Sequence, residues 1–204
     1  MLEKEQDEKK YEIPEQVLYD IITKALTIDV DTNYNGGDYH KYLSQSWVHN
    51  FAIGLQSYYR RNGCNVISFH NQRNIENENE PQVKEFLYDI TVAEYDSFYS
   101  SFKDKLIPFI TKPIWQIESE FAEDMRETAK DFQKLISGNA PYKMMVTPLG
   151  RDDSKHYLTD MANLAQLVNG RLYLLSISHP SNWSEKIEWQ LYKWGYWQLL
   201  NRVE

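Results

Sequence analysis

The stretch that decides the fold of this chain is 112-KPIWQIESEF-121. Apolar and polar residues alternate along it, and this alternation predicts a β-strand, because successive side chains of a strand point to opposite faces. Trp115 and Ile117 belong to the apolar face, whereas Glu118 and Glu120 lie side by side on the other face. Like charges that are neighbours on one face of a sheet repel each other, so this strand needs a reason to carry them.

Length and composition set the class of protein. The chain has 204 residues, of which 42% are apolar and 25% charged, and this is typical of a single globular domain with a sizeable core. Its one cysteine, Cys64, excludes a disulfide within the chain and a cysteine-based zinc cluster, and it fits a reducing compartment. Because no apolar run resembles a signal peptide or spans a bilayer, we expect a cytoplasmic protein without a membrane partner.

The net charge of −8 bears on the partners of the protein. It argues against broad, non-specific binding of nucleic acid, which relies on a basic surface. Net charge does not describe local patches, however, so an enzyme that acts on nucleic acid stays open.

Helical and strand patterns alternate along the chain. Residues 1–12 are predicted to be a charged, mobile tail, and residues 13–204 a single domain. From residue 41 the predicted order is α-β-β-β-α-β-α-β-α, which indicates an α/β domain with a central mixed sheet. Pro113 is expected to open the third strand, and the Trp-rich segment 184–200 is expected to close the chain as a helix.

A third acid accompanies the two glutamates. Asp89 is predicted to lie in the middle of the apolar strand 85-EFLYDITVAEY-95. Burying an unpaired carboxylate costs several kcal/mol, so buried acids are normally paired, protonated or bound to a metal. A divalent cation would relieve the repulsion among Asp89, Glu118 and Glu120, and carboxylate oxygens suit Mg²⁺, for which Mn²⁺ can substitute. A sheet surface that faces solvent shows the same alternation, so the acids could instead be ordinary surface residues.

The order of elements resembles the core of the PD-(D/E)xK nuclease superfamily, the restriction-endonuclease-like fold, from about residue 41 to 150. Within this resemblance, Asp89 matches the metal-binding acid of the second core strand, and Glu118 matches the second acid. The resemblance implies an α/β fold in which an α-β-β-β-α-β core holds a central mixed β-sheet flanked by helices.

Glu120 departs from the pattern of the superfamily, because it falls where a lysine usually stands. Some restriction enzymes of the superfamily carry Glu or Gln at this point. Lys134 follows fourteen residues later on the next helix, where a subgroup of the superfamily places a migrated active-site residue. The core stripe predicted for that helix leaves Lys134 on nearly the opposite side, so a solvated lysine is the alternative, and Lys130 is a weaker substitute.

The resemblance implies an Mg²⁺-dependent endonuclease that hydrolyses phosphodiester bonds of DNA in restriction or phage defence, with RNA left open as a substrate. Asp89, Glu118 and Glu120 would bind the metal, and Lys134 would complete the catalytic set. A homodimer is a further implication, since restriction-like enzymes often dimerise to cut both strands. The alternative is a nuclease fold without activity that acts as a binding or interaction module.

Overall fold

The computed structural model describes residues 10–27, 39–70, 87–121, 125–149, 154–183, 187–195 and 198–200, without the side chains of 154–156. These residues form four α-helices, seven strands and one short 3₁₀ turn. In chain order the helices and strands are α1 (Glu15–Ala25), α2 (Tyr39–Arg61), β1 (Val66–His70), β2 (Ile90–Ser100), β3 (Lys105–Ser119), α3 (Met125–Ser137), β4 (Tyr142–Pro148), α4 (Ser154–Ala165), β5 (Arg171–Ile177), β6 (Trp189–Lys193) and β7 (Gln198–Leu200).

The seven strands form one mixed sheet in which their spatial order equals their order in the chain. β3 pairs antiparallel with β2 and parallel with β4, so that Ile117 lies between Ile90 and Met144. β4 and β5 are also parallel, and the remaining neighbours are antiparallel. The parallel pairs need crossover connections, which α3 and α4 supply. The predicted α/β class with a central mixed sheet flanked by helices is therefore confirmed.

Each face of the sheet packs against its own pair of helices. On one face, the larger core joins α1 and α2 to strand residues that include Trp115 and Ile117. On the other face, a smaller core joins α3 and α4 to Met145 and Leu174. β3 thus shows its apolar side chains to α1 and α2, while its alternate side chains face α3.

Trp115 anchors the larger core by hydrogen bonds as well as by packing. The fully buried indole donates from Nε1 to the Tyr59 hydroxyl at 2.7 Å, and that hydroxyl donates to the Tyr11 carbonyl at 2.7 Å. The indole also lies against the ring of Tyr142 on the neighbouring strand. The Tyr59 hydroxyl therefore links the sheet, α2 and the N-terminal segment in a water-excluded place.

The expected position of Pro113 is wrong, because β3 begins eight residues before it, at Lys105. Val92 pairs with Trp115 and Ala93 with Pro113, so Ile114 has no partner on β2 and the strand bulges there. A proline cannot donate to the ladder, and a bulge is one of the few places in a sheet that tolerate it.

The helix expected for residues 184–200 is also wrong, because the described part of this segment forms the hairpin strands β6 and β7. Leu191 is buried and pairs with Leu175 of β5, so β6 extends the sheet. Gly195 lies between the two strands with φ +152°, a conformation that favours glycine. The aromatic residues of the segment fit a period of two as well as a helical period, and pairing with β5 decides between them.

Part of the predicted tail of residues 1–12 lies outside the described residues. Lys10 to Glu12 are described, and Tyr11 is buried in the larger core, where its hydroxyl donates to Glu94 at 2.5 Å. Glu12 pairs with Arg171. Tyr11 thus belongs to the packed domain. Within the described residues, no helix combines the length and the apolarity that crossing a membrane requires.

We expect Tyr59→Phe to lower the free energy of unfolding by about 2 kcal/mol, because it leaves the Trp115 indole and the Tyr11 carbonyl buried without a partner. The neighbouring Tyr58→Phe, at a partly exposed ring, is the matched control and should cost less than about 0.5 kcal/mol. Urea unfolding of both variants measures the difference. Equal stabilities of the two variants would contradict the role assigned to this hydroxyl.

Candidate functional site

Four charged side chains meet where β3 reaches its carboxyl end. Glu118 is the second-last residue of β3, and Asp89 lies one residue before β2. Asp131 and Lys134 lie on α3, the helix that covers this face of the sheet. The prediction that Asp89 occupies the middle of a strand is wrong, since residues 87–89 form a bend and pairing begins only at Ile90.

Glu118 is the most deeply buried of these groups. Its side chain is 1% exposed, because it points from the sheet toward the covering helix α3. Its Oε2 accepts a hydrogen bond from Lys134 Nζ at 3.1 Å, but its Oε1 has no hydrogen-bond partner among the described residues. A buried carboxylate oxygen without a partner is costly, and such an atom marks a place that a ligand or an ion can satisfy.

Lys134 reaches into this group although its Cα lies away from the core stripe of α3. Its ammonium lies 3.1 Å from Glu118 and 2.9 Å from Asp131, while the side chain remains 46% exposed. A long lysine can lay its stem along the flank of a helix and carry its charge to a neighbouring group. The alternative of a purely solvated lysine therefore does not describe Lys134.

Ser119 fixes the orientation of Asp89. Both the backbone N–H and the hydroxyl of Ser119 donate to Asp89 Oδ2, at 2.8 and 2.5 Å. Burial raises the pKa of Asp89, and the two hydrogen bonds oppose this effect without cancelling it. Ser119, the residue that follows Glu118, therefore holds the Asp89 carboxylate against β3.

The electrostatics of the group favour a proton on Glu118. Burial, followed by the charge of Asp89, raises the pKa of Glu118 to about 8, although Lys134 acts in the opposite direction. Burial alone would lower the pKa of Lys134, but its hydrogen bonds and ion pairs with Asp131 and Glu118 outweigh burial and raise that pKa. The site thus combines a lysine that stays charged with an acid that is easily protonated at neutral pH.

Glu120 lies at the same end of the sheet, one residue beyond β3. Its backbone N–H donates to the Val146 carbonyl at 2.9 Å, which continues the parallel pairing with β4, and its side chain is half-buried. The strongest charge effects on Glu118 come from Asp89, Lys134 and Asp131. The structure therefore brings Asp89, Glu118 and Lys134 together and leaves Glu120 at their margin.

Lys130, the weaker substitute for a migrated lysine, lies elsewhere. Its ammonium pairs with Glu127 at 2.6 Å, and the Lys130 side chain is 66% exposed. It therefore offers a matched surface lysine on the same helix as Lys134.

Sequence reasoning missed Asp131, Ser119 and Tyr88. Asp131 stands three residues before Lys134, and this spacing is typical of paired side chains on a helix, so it gave a usable signal. Ser119 stands between the two glutamates of the ESE motif. Tyr88 donates its hydroxyl to the Lys134 carbonyl at 3.0 Å, and nothing in the sequence connects these two residues.

Two further buried hydroxyls lie on α3 and β4. Thr128 in the first turn of α3 and Thr147 near the end of β4 are fully buried, and neither Oγ1 has a hydrogen-bond partner among the described residues. Thr147 follows Val146, which pairs with Ser119, so it lies at the same end of the sheet as the acids. Polar groups thus continue from β3 onto β4 at this edge.

The carboxylates of the site are donors of the kind that a divalent metal such as Mg²⁺ prefers. Among the described residues, no group of three or more His, Cys, Asp or Glu side chains could hold a metal ion. Mg²⁺ commonly uses only one or two protein carboxylates and completes its shell with water and substrate phosphates. Asp89 and Glu118, with its unpartnered Oε1, fit such a two-carboxylate set.

Comparison of the chain with protein-family models, with curated proteins and with solved structures finds no match.

We expect Glu118→Gln to stabilise the metal-free protein in a pH-dependent way. Between pH 4.5, the ordinary value for Glu, and about 8, the unfolded chain loses its proton while folded Glu118 keeps it. The folded state then binds more protons, so the wild type loses stability as pH rises through this range. Above pH 8 the variant should exceed the wild type by about 2–4 kcal/mol.

Urea unfolding of both proteins between pH 4 and 9 measures this difference. The lowest pH serves as the internal control, because Glu118 is then protonated in both states and the two proteins should nearly coincide. A difference that stays constant over the whole range would refute the raised pKa.

Proposed function

We propose that this protein is a metal-dependent endonuclease with a restriction-endonuclease-like fold, and that it hydrolyses phosphodiester bonds of DNA. The observation that carries the proposal is the Glu118 carboxylate, nearly fully buried, with one oxygen on Lys134 and the other without a partner. Perturbed acids that cluster with a specific cation are typical of functional sites.

The order of elements supports the same proposal. α2, β1, β2, β3, α3 and β4 follow one another in the α-β-β-β-α-β order of the nuclease core. Asp89 directly precedes the second of these strands, Glu118 is the second-last residue of the third, and Lys134 lies on the helix between the third and the fourth. The positions of Glu118 and Lys134 agree with those of the second acid and, in one subgroup, the migrated residue of the superfamily, whereas Asp89 lies one residue before the strand that carries the first acid.

Asp89 and Glu118 would hold the metal. When bound, Mg²⁺ or Mn²⁺ would supply the Lewis acidity that polarises the scissile phosphate and lowers the pKa of an attacking water. Ser119 keeps the Asp89 carboxylate in place by its two hydrogen bonds. Glu118 has to give up its proton before it can bind a cation, so the affinity for metal is expected to rise with pH.

Lys134 would act on the phosphate. Its ammonium already lies within hydrogen-bond distance of Glu118 and Asp131, and its partial exposure lets it face a bound substrate. A fixed positive charge at this place would stabilise the negative charge that develops on the phosphate oxygens. Together with the metal, Lys134 would allow an acidic site to accept a polyanion.

Cleavage of supercoiled plasmid in Mg²⁺ and in Mn²⁺ tests the proposal. We expect the wild type to nick or linearise the plasmid, and Asp89→Asn, Glu118→Gln and Lys134→Ala to lower the rate at least about 100-fold. Lys130→Ala removes a surface lysine from the same helix and should keep the wild-type rate.

If the Asp89→Asn and Glu118→Gln variants both cut the plasmid at the wild-type rate, the cutting would come from a contaminant or from a different site. Thermal melting with Mn²⁺ supplies a readout besides activity. The wild type should gain stability from Mn²⁺, and Glu118→Gln should gain none.

A second candidate function is a nuclease fold that binds a partner without cutting. The observation that favours it is the ion pairing of Lys134 with Glu118 and Asp131, which balances part of the acidic charge without a metal. This alternative predicts neither cleavage nor a gain in thermal stability on addition of Mg²⁺ or Mn²⁺.

A further inference from the structure

Lys134 lies in the last turn of α3, where backbone carbonyls lack a partner one turn further along the helix. The backbone N–H of Gly138, which could have supplied that partner, donates to the Leu135 carbonyl at 3.3 Å. The Lys134 carbonyl instead accepts a hydrogen bond from the Tyr88 hydroxyl at 3.0 Å. Tyr88 thus fixes the backbone of Lys134 at the end of the helix.

The bend of residues 87–89 connects this contact to the acids of the site. Asp89 follows Tyr88 directly, and Ser119 holds the Asp89 carboxylate against β3 by two hydrogen bonds. The Tyr88 side chain is itself buried in the smaller core. Two consecutive residues therefore hold the two sides of the site, because Asp89 is bound to β3 and Tyr88 to α3.

Two further buried side chains anchor the residues that follow α3. Gln116 accepts a hydrogen bond from the Ala140 N–H at 3.1 Å, and Lys143 Nζ donates to the Gly138 carbonyl at 2.7 Å. A side-chain carbon added at Gly138 would lie 2.9 Å from the Tyr88 hydroxyl and closer still to the Gln116 side-chain oxygen. The end of α3 thus packs so closely on Tyr88 and Gln116 that only glycine fits there without a shift.

The other end of Lys134 is held by charge. Its ammonium lies 3.1 Å from Glu118 and 2.9 Å from Asp131, while the side chain is 46% exposed. Because the Cα of Lys134 lies away from the core stripe, the stem has to follow the flank of α3 to reach Glu118. A shift of the last turn would lengthen that path, and water would compete for the half-exposed ammonium.

We propose that Tyr88 is a positioning residue of the candidate site, which holds Lys134 within reach of Glu118 and of a bound phosphate. The contact of its hydroxyl is with the Lys134 carbonyl, so Tyr88 acts through Lys134. The catalytic part of this inference rests on the proposed function, whereas its geometric part does not. Misplacing a reacting group by about 1 Å can cost on the order of 100-fold in rate, so such a tether matters for catalysis.

NMR of the protein labelled with ¹³C at lysine Cε tests the geometric part without a substrate. The Lys134 signal is assigned by its loss in Lys134→Ala, and Lys130, a surface lysine of the same helix, is the internal reference. We expect Tyr88→Phe, which keeps the ring, to move the Lys134 signal toward that of Lys130. Tyr58→Phe, which removes a hydroxyl on the other face of the sheet, is the matched control and should move neither signal.

Plasmid cleavage tests the catalytic part. We expect Tyr88→Phe to lower kcat about 10-fold and to leave KM within about two-fold, because the variant keeps the groups that bind substrate. In a Lys134→Ala background, the same change should lower the rate less than about two-fold, because the residue through which Tyr88 acts is then gone.

Gly138→Ala approaches the same contact from the side of the helix. Its added methyl group would push Tyr88 and Gln116 away from α3, so the Lys134 signal should move in the same direction as in Tyr88→Phe. Thermal melting shows which variants are folded, and one folded variant of the two is sufficient for the comparison.

A Lys134 signal that stays in place in a folded variant would overturn the inference. So would a rate loss from Tyr88→Phe that is as large without the Lys134 side chain as with it, or a wild-type rate in Tyr88→Phe. A wild type that does not cleave DNA would overturn the proposed function, and the NMR comparison would still decide whether Tyr88 positions Lys134.

Discussion

The burial of the Glu118 carboxylate is the constraint on which the candidate site depends. Glu118 lies near the end of the strand that joins the antiparallel and the parallel halves of the sheet, and α3 covers it. Taking a carboxylate out of water costs several kcal/mol unless other groups compensate it. Lys134 compensates one oxygen and the other is left without a partner, so the protein keeps an unfavourable group that stability alone does not explain.

The opposite face of the same strand shows what offsets this cost. Trp115 and Ile117 alternate with Glu118 and are buried in the larger core. The indole of Trp115 is further fixed through Tyr59 to the N-terminal segment. A strand that buries Trp115 and Ile117 in the larger core on one face can hold the buried Glu118 in position on its other face. The packing of the apolar face therefore explains how KPIWQIESEF can carry acidic side chains opposite large apolar residues.

The sequence predicted the general architecture because its strongest signals are local. The alternation around Trp115 and the helical stripes led correctly to an α/β domain with a mixed sheet. Two of the predictions that proved wrong, the helix of residues 184–200 and the position of Asp89, failed for reasons that lie in tertiary contacts. The end of the chain became strands because β5 offers an edge to Leu191, and Asp89 lies outside β2 because pairing starts at Ile90. Neither edge nor register can be read from one segment alone.

The candidate site was predictable in part. The ESE motif and the residue spacing indicated Glu118 and Lys134, and the structure brings these two side chains together. The helical wheel argued against Lys134 because it follows the direction of Cβ, whereas the ammonium lies several bonds further along a flexible chain. The contributions of Tyr88 and Thr147 depend on which strand and helix ends meet, and sequence spacing carries no information on that.

The measurement that tests the central claim most directly is a ¹³C NMR titration of the Glu118 carboxyl carbon, with and without Mg²⁺, assigned by comparison with Glu118→Gln. A functional buried carboxylate should titrate with a pKa near 8 in the metal-free protein. Millimolar Mg²⁺ should shift its resonance toward that of the ionised form at neutral pH. A pKa near 4.5, the ordinary value for Glu, or a resonance that does not respond to Mg²⁺, would contradict the claim that Glu118 is kept ready for a metal.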